Sequence, residues 1–72
     1  MDTLTLTARG CSVTLFAPRD VPGGVEAFAF YATAPLTRVR TFTTPDKRRF
    51  RAPAGLPSGF RLGRVFMPQE GE

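Results

Sequence analysis

Polar and apolar residues alternate from Thr3 to Leu15, and the alternation changes phase once, at Arg9-Gly10. A tight turn at that dipeptide predicts a β-hairpin with Ala8 opposite Cys11, Leu6 opposite Val13 and Leu4 opposite Leu15. Those six residues form one apolar face. Thr3, Thr5, Thr7, Ser12, Thr14 and Phe16 form the other, and only Phe16 breaks its polarity. A slip of one residue would mix the two faces, so the pattern specifies the register.

Ala17 to Gly24 carries Pro18, Pro22 and a Gly-Gly pair, and reads as a loop. Val25 to Ala34, VEAFAFYATA, suits two periodicities. As a helix it stacks Val25, Phe28, Ala29 and Ala32, and its four alanines favour that. As a strand it is apolar on both sides, with Phe28, Phe30 and Ala32 on one and Val25, Ala27, Ala29 and Tyr31 on the other. The Phe-x-Phe spacing, Tyr31 and Thr33 make a central strand the preferred reading.

Leu36 to Arg51, LTRVRTFTTPDKRRFR, predicts a second hairpin turning at Thr44-Pro45-Asp46-Lys47, with proline suited to the second position of a type I turn. A four-residue loop pairs Thr43 with Arg48, Thr41 with Phe50 and Val39 with Ala52. Val39, Thr41, Phe50 and Ala52 then face the core, and Arg38, Arg40, Phe42, Arg49 and Arg51 share the outer face. A three-residue loop pairs Phe42 with Phe50 instead and turns Arg40 to the same side. Burying unpaired charge is costly, which favours the first register.

After the Pro/Gly-rich stretch from Ala52 to Gly59, Phe60 to Met67 predicts a last strand. Phe60, Leu62 and Phe66 fall on one side of it, together with an unexplained Arg64. Residues 1–2 and 69–72 are expected to be disordered ends of a single domain, 1–72. The whole predicts an all-β chain: a small antiparallel sheet of five to six short strands, curled in the manner of an SH3-like or OB-like barrel. With 25–34 helical, the alternative is an α+β fold.

Charge changes this picture more than composition does. The chain has 72 residues and a net charge of +4, but the charge is unevenly spread. Residues 36–64 carry Arg38, Arg40, Lys47, Arg48, Arg49, Arg51, Arg61 and Arg64 against Asp46 alone. Such a field suits phosphates or an acidic protein surface. Nine of the ten cations are arginine, a residue suited to bidentate contacts and stacking, although a GC-rich genome produces the same bias.

A chain this short buries only about 60% of the surface its unfolded form exposes, and its single cysteine precludes an internal disulfide. A partner, or a homo-oligomer, is expected to contribute to its stability. One cysteine also fits a reducing, cytoplasmic setting, and the start MDTLTLTARG resembles no signal peptide. No apolar run reaches the ~20 residues of a spanning helix, so no membrane is expected among its partners.

Candidate chemistry is sparse. Histidine is absent, the acids are scattered, and no phosphate-binding glycine motif occurs. Cys11 lacks an activating partner and is expected to be a small buried hydrophobe. No catalysis, cofactor or metal is therefore expected. The residues that suggest contact are Arg38, Arg40, Phe42, Lys47, Arg48, Arg49, Arg51 and Arg61, with Tyr31 and Phe60 secondary.

Arginines on phosphates with an aromatic ring stacked on a base are the physical recipe for single-strand binding, so docking on a nucleic acid or nucleoprotein is the first expectation. Arginine and aromatic residues also concentrate at protein interfaces. The alternative is a protein inhibitor that masks a host protein or defence complex. Small basic chains are common among phage and mobile-element products, anti-CRISPR proteins included, and the likeness is one of size and style without a shared motif. A phage structural subunit, pairing its exposed strands with neighbours, is a further expectation.

Overall fold

The computed structural model describes residues 2–70. Its described residues contain no helix: seven antiparallel strands form one sheet. They are β1 (Thr3–Ala8), β2 (Cys11–Phe16), β3 (Arg19–Val21), β4 (Gly24–Ala32), β5 (Arg40–Thr43), β6 (Arg49–Ala52) and β7 (Gly59–Pro68). The lateral order is β3-β4-β2-β1-β5-β6, and β7 lies along the other edge of β4. The sheet curls into a half-barrel until β7 approaches β6. There they meet through one bridge, Phe50 to Gln69, and a bond from the Glu70 N–H to the Arg49 carbonyl.

The first hairpin has the register that the alternation predicts, Leu4 with Leu15, Leu6 with Val13 and Ala8 with Cys11. Leu6, Val13 and Leu15 are wholly buried, and Cys11 is a buried free thiol. The ambiguous segment is a strand, central as expected, with β2 and β3 on one side and β7 on the other.

The segment read as a loop contains β3. Pro22 and Gly23 close a two-residue turn between β3 and β4, with Gly23 at the positive φ that the third position of a type II turn requires. Pro18 lies just before β3, which is an edge strand and tolerates a missing donor there. Ala17 adopts positive φ at the break between β2 and β3. Opposite that break β4 changes face: Val25 and Ala27 point into the core on one side of Phe28, Phe30 and Ala32 on the other.

The second hairpin corrects the preferred register. Phe42 pairs with Phe50, Thr43 with Arg49, Thr41 with Arg51 and Arg40 with Ala52. The loop is Pro45-Asp46-Lys47, closed by the Thr44 N–H on the Arg48 carbonyl at 3.0 Å. A type I turn followed by a left-handed residue makes this three-residue loop, and Lys47 is that residue, with φ 72°. Phe42 and Phe50 are both fully buried, whereas Val39 is 54% exposed and Thr41 is exposed. The charge penalty that favoured the other register is not incurred. Arg38 precedes β5 and is exposed, and Arg40 reaches the Arg9 carbonyl from the edge of the core.

The last strand is displaced in the same way. Ala27 pairs with Val65 and Ala29 with Leu62, so two residues of β7, Gly63 and Arg64, oppose Phe28. Across this β-bulge β7 keeps its alternation, but the side that faces in is the opposite of the one its apolar residues suggest: Val65 and Met67 are buried, while Phe60, Leu62 and Phe66 are exposed. Gln69 and Glu70, expected to be disordered, bond to the backbone of Gly23 and Arg49, and the Asp2 carbonyl accepts from Ala17. The rest of those ends, residues 1 and 71–72, lies outside the described residues.

Candidate functional site

Two surfaces compete, and the cross-strand registers determine both. The first is the charged hairpin. With Phe42 paired to Phe50 in the core, no aromatic ring remains outside for a base to stack on. The outer face of β5 and β6 instead carries Thr41, Thr43, Arg49 and Arg51.

The arginines also divide by task. Arg40 donates from Nη2 to the Arg9 carbonyl at 2.8 Å and lies 5.7 Å from the Phe42 ring centroid. Arg48 pairs with Asp46 at 3.1 Å and Asp20 at 3.6 Å, and stands 5.5 Å from the Phe50 ring centroid. Both therefore brace the structure. Arg51 is 4.0 Å from Glu70, whose carboxylate also accepts from the Thr41 hydroxyl at 2.9 Å. Among the described residues Arg38, Lys47, Arg49 and Arg61 have no carboxylate partner. Of these four, Arg49 stands on the outer sheet face, Arg38 before β5, Lys47 in the loop and Arg61 on β7.

The turn itself is well ordered by side chains. The Thr44 hydroxyl donates to the Asp46 carboxylate and accepts from the Arg48 N–H at 3.0 Å. The Thr44 bond, followed by Arg48, holds the Asp46 carboxyl below its ordinary value of 3.8 against the opposing effect of desolvation.

The second surface lies across β2, β4 and β7. Thr14 pairs with Tyr31 and Tyr31 with Phe60; one rank along, Phe16 pairs with Ala29 and Ala29 with Leu62. Cross-strand partners share a face, so these residues stand together on the outside of the curl. The Phe16 and Phe60 rings meet edge to face with centroids 5.6 Å apart. Phe16, Ala17, Phe28, Ala29, Phe60 and Leu62 line a cleft of about 400 Å³, and Ala29 is its buried floor. Leu62 is 84% exposed and Phe60 56%.

Charge rims this cleft. The Arg64 guanidinium lies 5.9 Å from the Phe28 ring centroid and 3.6 Å from Glu26, which Arg19 also contacts at 3.1 Å. Tyr31 and Phe60, secondary in the sequence, thus belong to the better-formed surface, whereas Arg61 is exposed but pairs with the buried Phe30 and so stands on the opposite side of β7. Leu62 shares the side of Phe60 by alternation, but nothing in the sequence says that this side faces out, whereas Phe16 announces itself as the lone apolar residue on a threonine face. Among the described residues no group of three or more potential metal ligands occurs, and no helix is long and apolar enough to cross a membrane. Compared with protein-family models, curated proteins and solved structures, the chain matches none.

Proposed function

We propose that this protein is a non-catalytic docking module that acts by occupying a surface of a larger protein through the outer face of β2, β4 and β7. One observation carries the reading: Phe28, Phe60 and Leu62, three of the six large exposed apolar side chains, line a single cleft beside Phe16, with Tyr31 next to Phe60 on the ladder and Arg64 at the rim. Isolated exposed apolar residues are ordinary, but a contiguous cluster with aromatic and arginine neighbours has the composition of an interface centre. An inhibitor that masks its target and a subunit of a larger assembly both use such a surface.

A photo-reactive phenylalanine analogue placed at Leu62 or at Arg49 tests this in an extract of the source cells. Protein adducts from position 62 that survive nuclease, and vanish on Phe60→Ser, support the reading. Adducts from position 49 alone, removed by nuclease, sink it.

Nucleic-acid docking is the second reading, favoured by Arg49 and Arg51 standing beside Thr41 and Thr43 on one exposed face. Binding to random single-stranded DNA or RNA should then fall steeply with salt and weaken on Arg49→Glu. No binding at low salt removes this reading.

A further inference from the structure

We propose that the exposed edge of β7, Gly59 to Arg64, takes an extended segment of a partner protein as an added antiparallel strand, and that this segment alternates apolar with acidic residues. The inference rests on the docking face described above and names what that face receives. β7 is bonded to β4 along one side. Along its other side the described residues supply only the bridge at Gln69, so the backbone groups of Gly59 to Arg64 that point away from β4 have no strand partner. A sheet edge of this kind is a template for a further strand, with main-chain bonds giving affinity and alternate side chains giving specificity.

What fits this edge follows from its side chains. Phe60 and Leu62 stand on the outer face next to the apolar cleft, so every second residue of an added strand meets an apolar surface. The intervening positions are Gly59, Arg61 and Gly63, and the one charge among them is positive: Arg61 has no carboxylate partner among the described residues, whereas Arg64 in the bulge pairs with Glu26.

The same charge argues against a second copy as the occupant. An antiparallel self-pair centred on Leu62 would bring the unpaired Arg61 of each copy to one short edge without a carboxylate on either strand. Acidic residues on a foreign strand complement the edge instead. The common natural guards of an edge are weak here. No lysine or proline lies between Gly59 and Arg64, and the bulge at Gly63-Arg64 ends the regular edge without covering it.

A synthetic decapeptide alternating valine with aspartate is the probe, with a lysine-for-aspartate version and an N-methylated version as controls. The expected result is saturable binding of the acidic peptide, new amide-exchange protection confined to β7 residues 59–64, and loss of both on N-methylation at alternate positions. Leu62→Asp should weaken binding by about tenfold or more without altering the thermal midpoint, since Leu62 is exposed. Equal binding of the lysine peptide, or binding without edge protection, overturns the inference.

The two proposals fail separately. Leu62-dependent binding without edge protection leaves the docking face standing and removes strand addition. Edge protection indifferent to Leu62→Asp and Phe60→Ser does the reverse. Concentration-dependent dimerisation of the free protein, with the same amides protected, assigns the edge to a second copy and overturns the proposal.

Discussion

Phe42 and Phe50 face each other across the β5–β6 ladder, and neither exposes any surface. They are the two largest fully buried side chains, and the other fully buried large ones are leucine, valine and one methionine. A chain of this size has only about 3–5 kcal/mol of stability to draw on. Truncating a buried phenylalanine to alanine typically costs about 3–5 kcal/mol. Phe42→Ala should therefore leave the chain largely unfolded at room temperature by circular dichroism, and Phe50→Ala likewise. A cooperative melt close to wild type for Phe42→Ala would contradict its burial.

Arg40 acts as a clamp between the two hairpins, because its guanidinium reaches the carbonyl in the β1–β2 turn. A charged donor on a half-buried site is worth about 1 kcal/mol after allowance for solvent. Arg40→Met keeps the aliphatic stem over Phe42 and removes only the bond. Its thermal midpoint should fall by about 4–8 °C. An unchanged midpoint would show that water replaces the bond at no cost.

Gly24 opens β4 where the backbone of β7 comes closest. A methyl group there would overlap the Met67 carbonyl and come within 2.9 Å of the Pro68 Cα. The obstacle is backbone, so neither side can yield by a rotamer change. Gly24→Ala should cost about 1–3 kcal/mol, the usual penalty of overpacking. Gly10→Ala meets no atom within 4 Å and strains only its positive φ, so it should cost less. Denaturant midpoints of the two variants decide the order.

Acid should weaken the second hairpin through Asp46. A carboxyl whose folded-state value is depressed adds stability above its unfolded value and loses it as pH falls through the folded one. The contribution is complete at neutral pH, begins to fade near about pH 4, and is gone below the folded-state midpoint. Asp46→Asn removes it, so the difference in denaturant midpoint between wild type and variant should close as pH drops from 7 to 2. A difference that stays constant over that range would assign the effect to something other than ionisation.

The sequence was most informative where one face had to be apolar and the other polar. The β1–β2 register follows from the threonine alternation because either slip would bury threonine. The β5–β6 register does not follow, since one alternative places Phe50 alone inward and the other places both phenylalanines inward but turns Arg40 to the same side. The choice turned on whether Arg40 would be stranded in the core, and its bond to Arg9, distant in sequence, is invisible to local pattern. β7 misleads for a different reason. Phe60, Leu62 and Phe66 keep one period and look like the core side, but that side faces out and the opposite one, with Val65 and Met67, faces in. β3 was concealed by prolines that an edge strand accommodates. For the apolar face, Phe16 on its threonine side and the secondary candidates Tyr31 and Phe60 were separate signs; the registers of β4 and β7 bring them together.

The meeting of β6 and β7 at one bridge has a consequence for motion. The β1–β2, β2–β4, β4–β7 and β5–β6 pairs form ladders of several residues, whereas β1 meets β5 only at Thr7 and Thr43, and this seam rests on Gln69, Glu70 and the side chains beside them. The seam is where the curled sheet should breathe, parting in excursions too small to melt the β1–β2–β4 ladder. Amide protons of Gln69 and Glu70 should then exchange at a rate indifferent to mild denaturant, as local fluctuations do. Those buried in the middle of β2 and β4 should wait for the whole molecule to unfold.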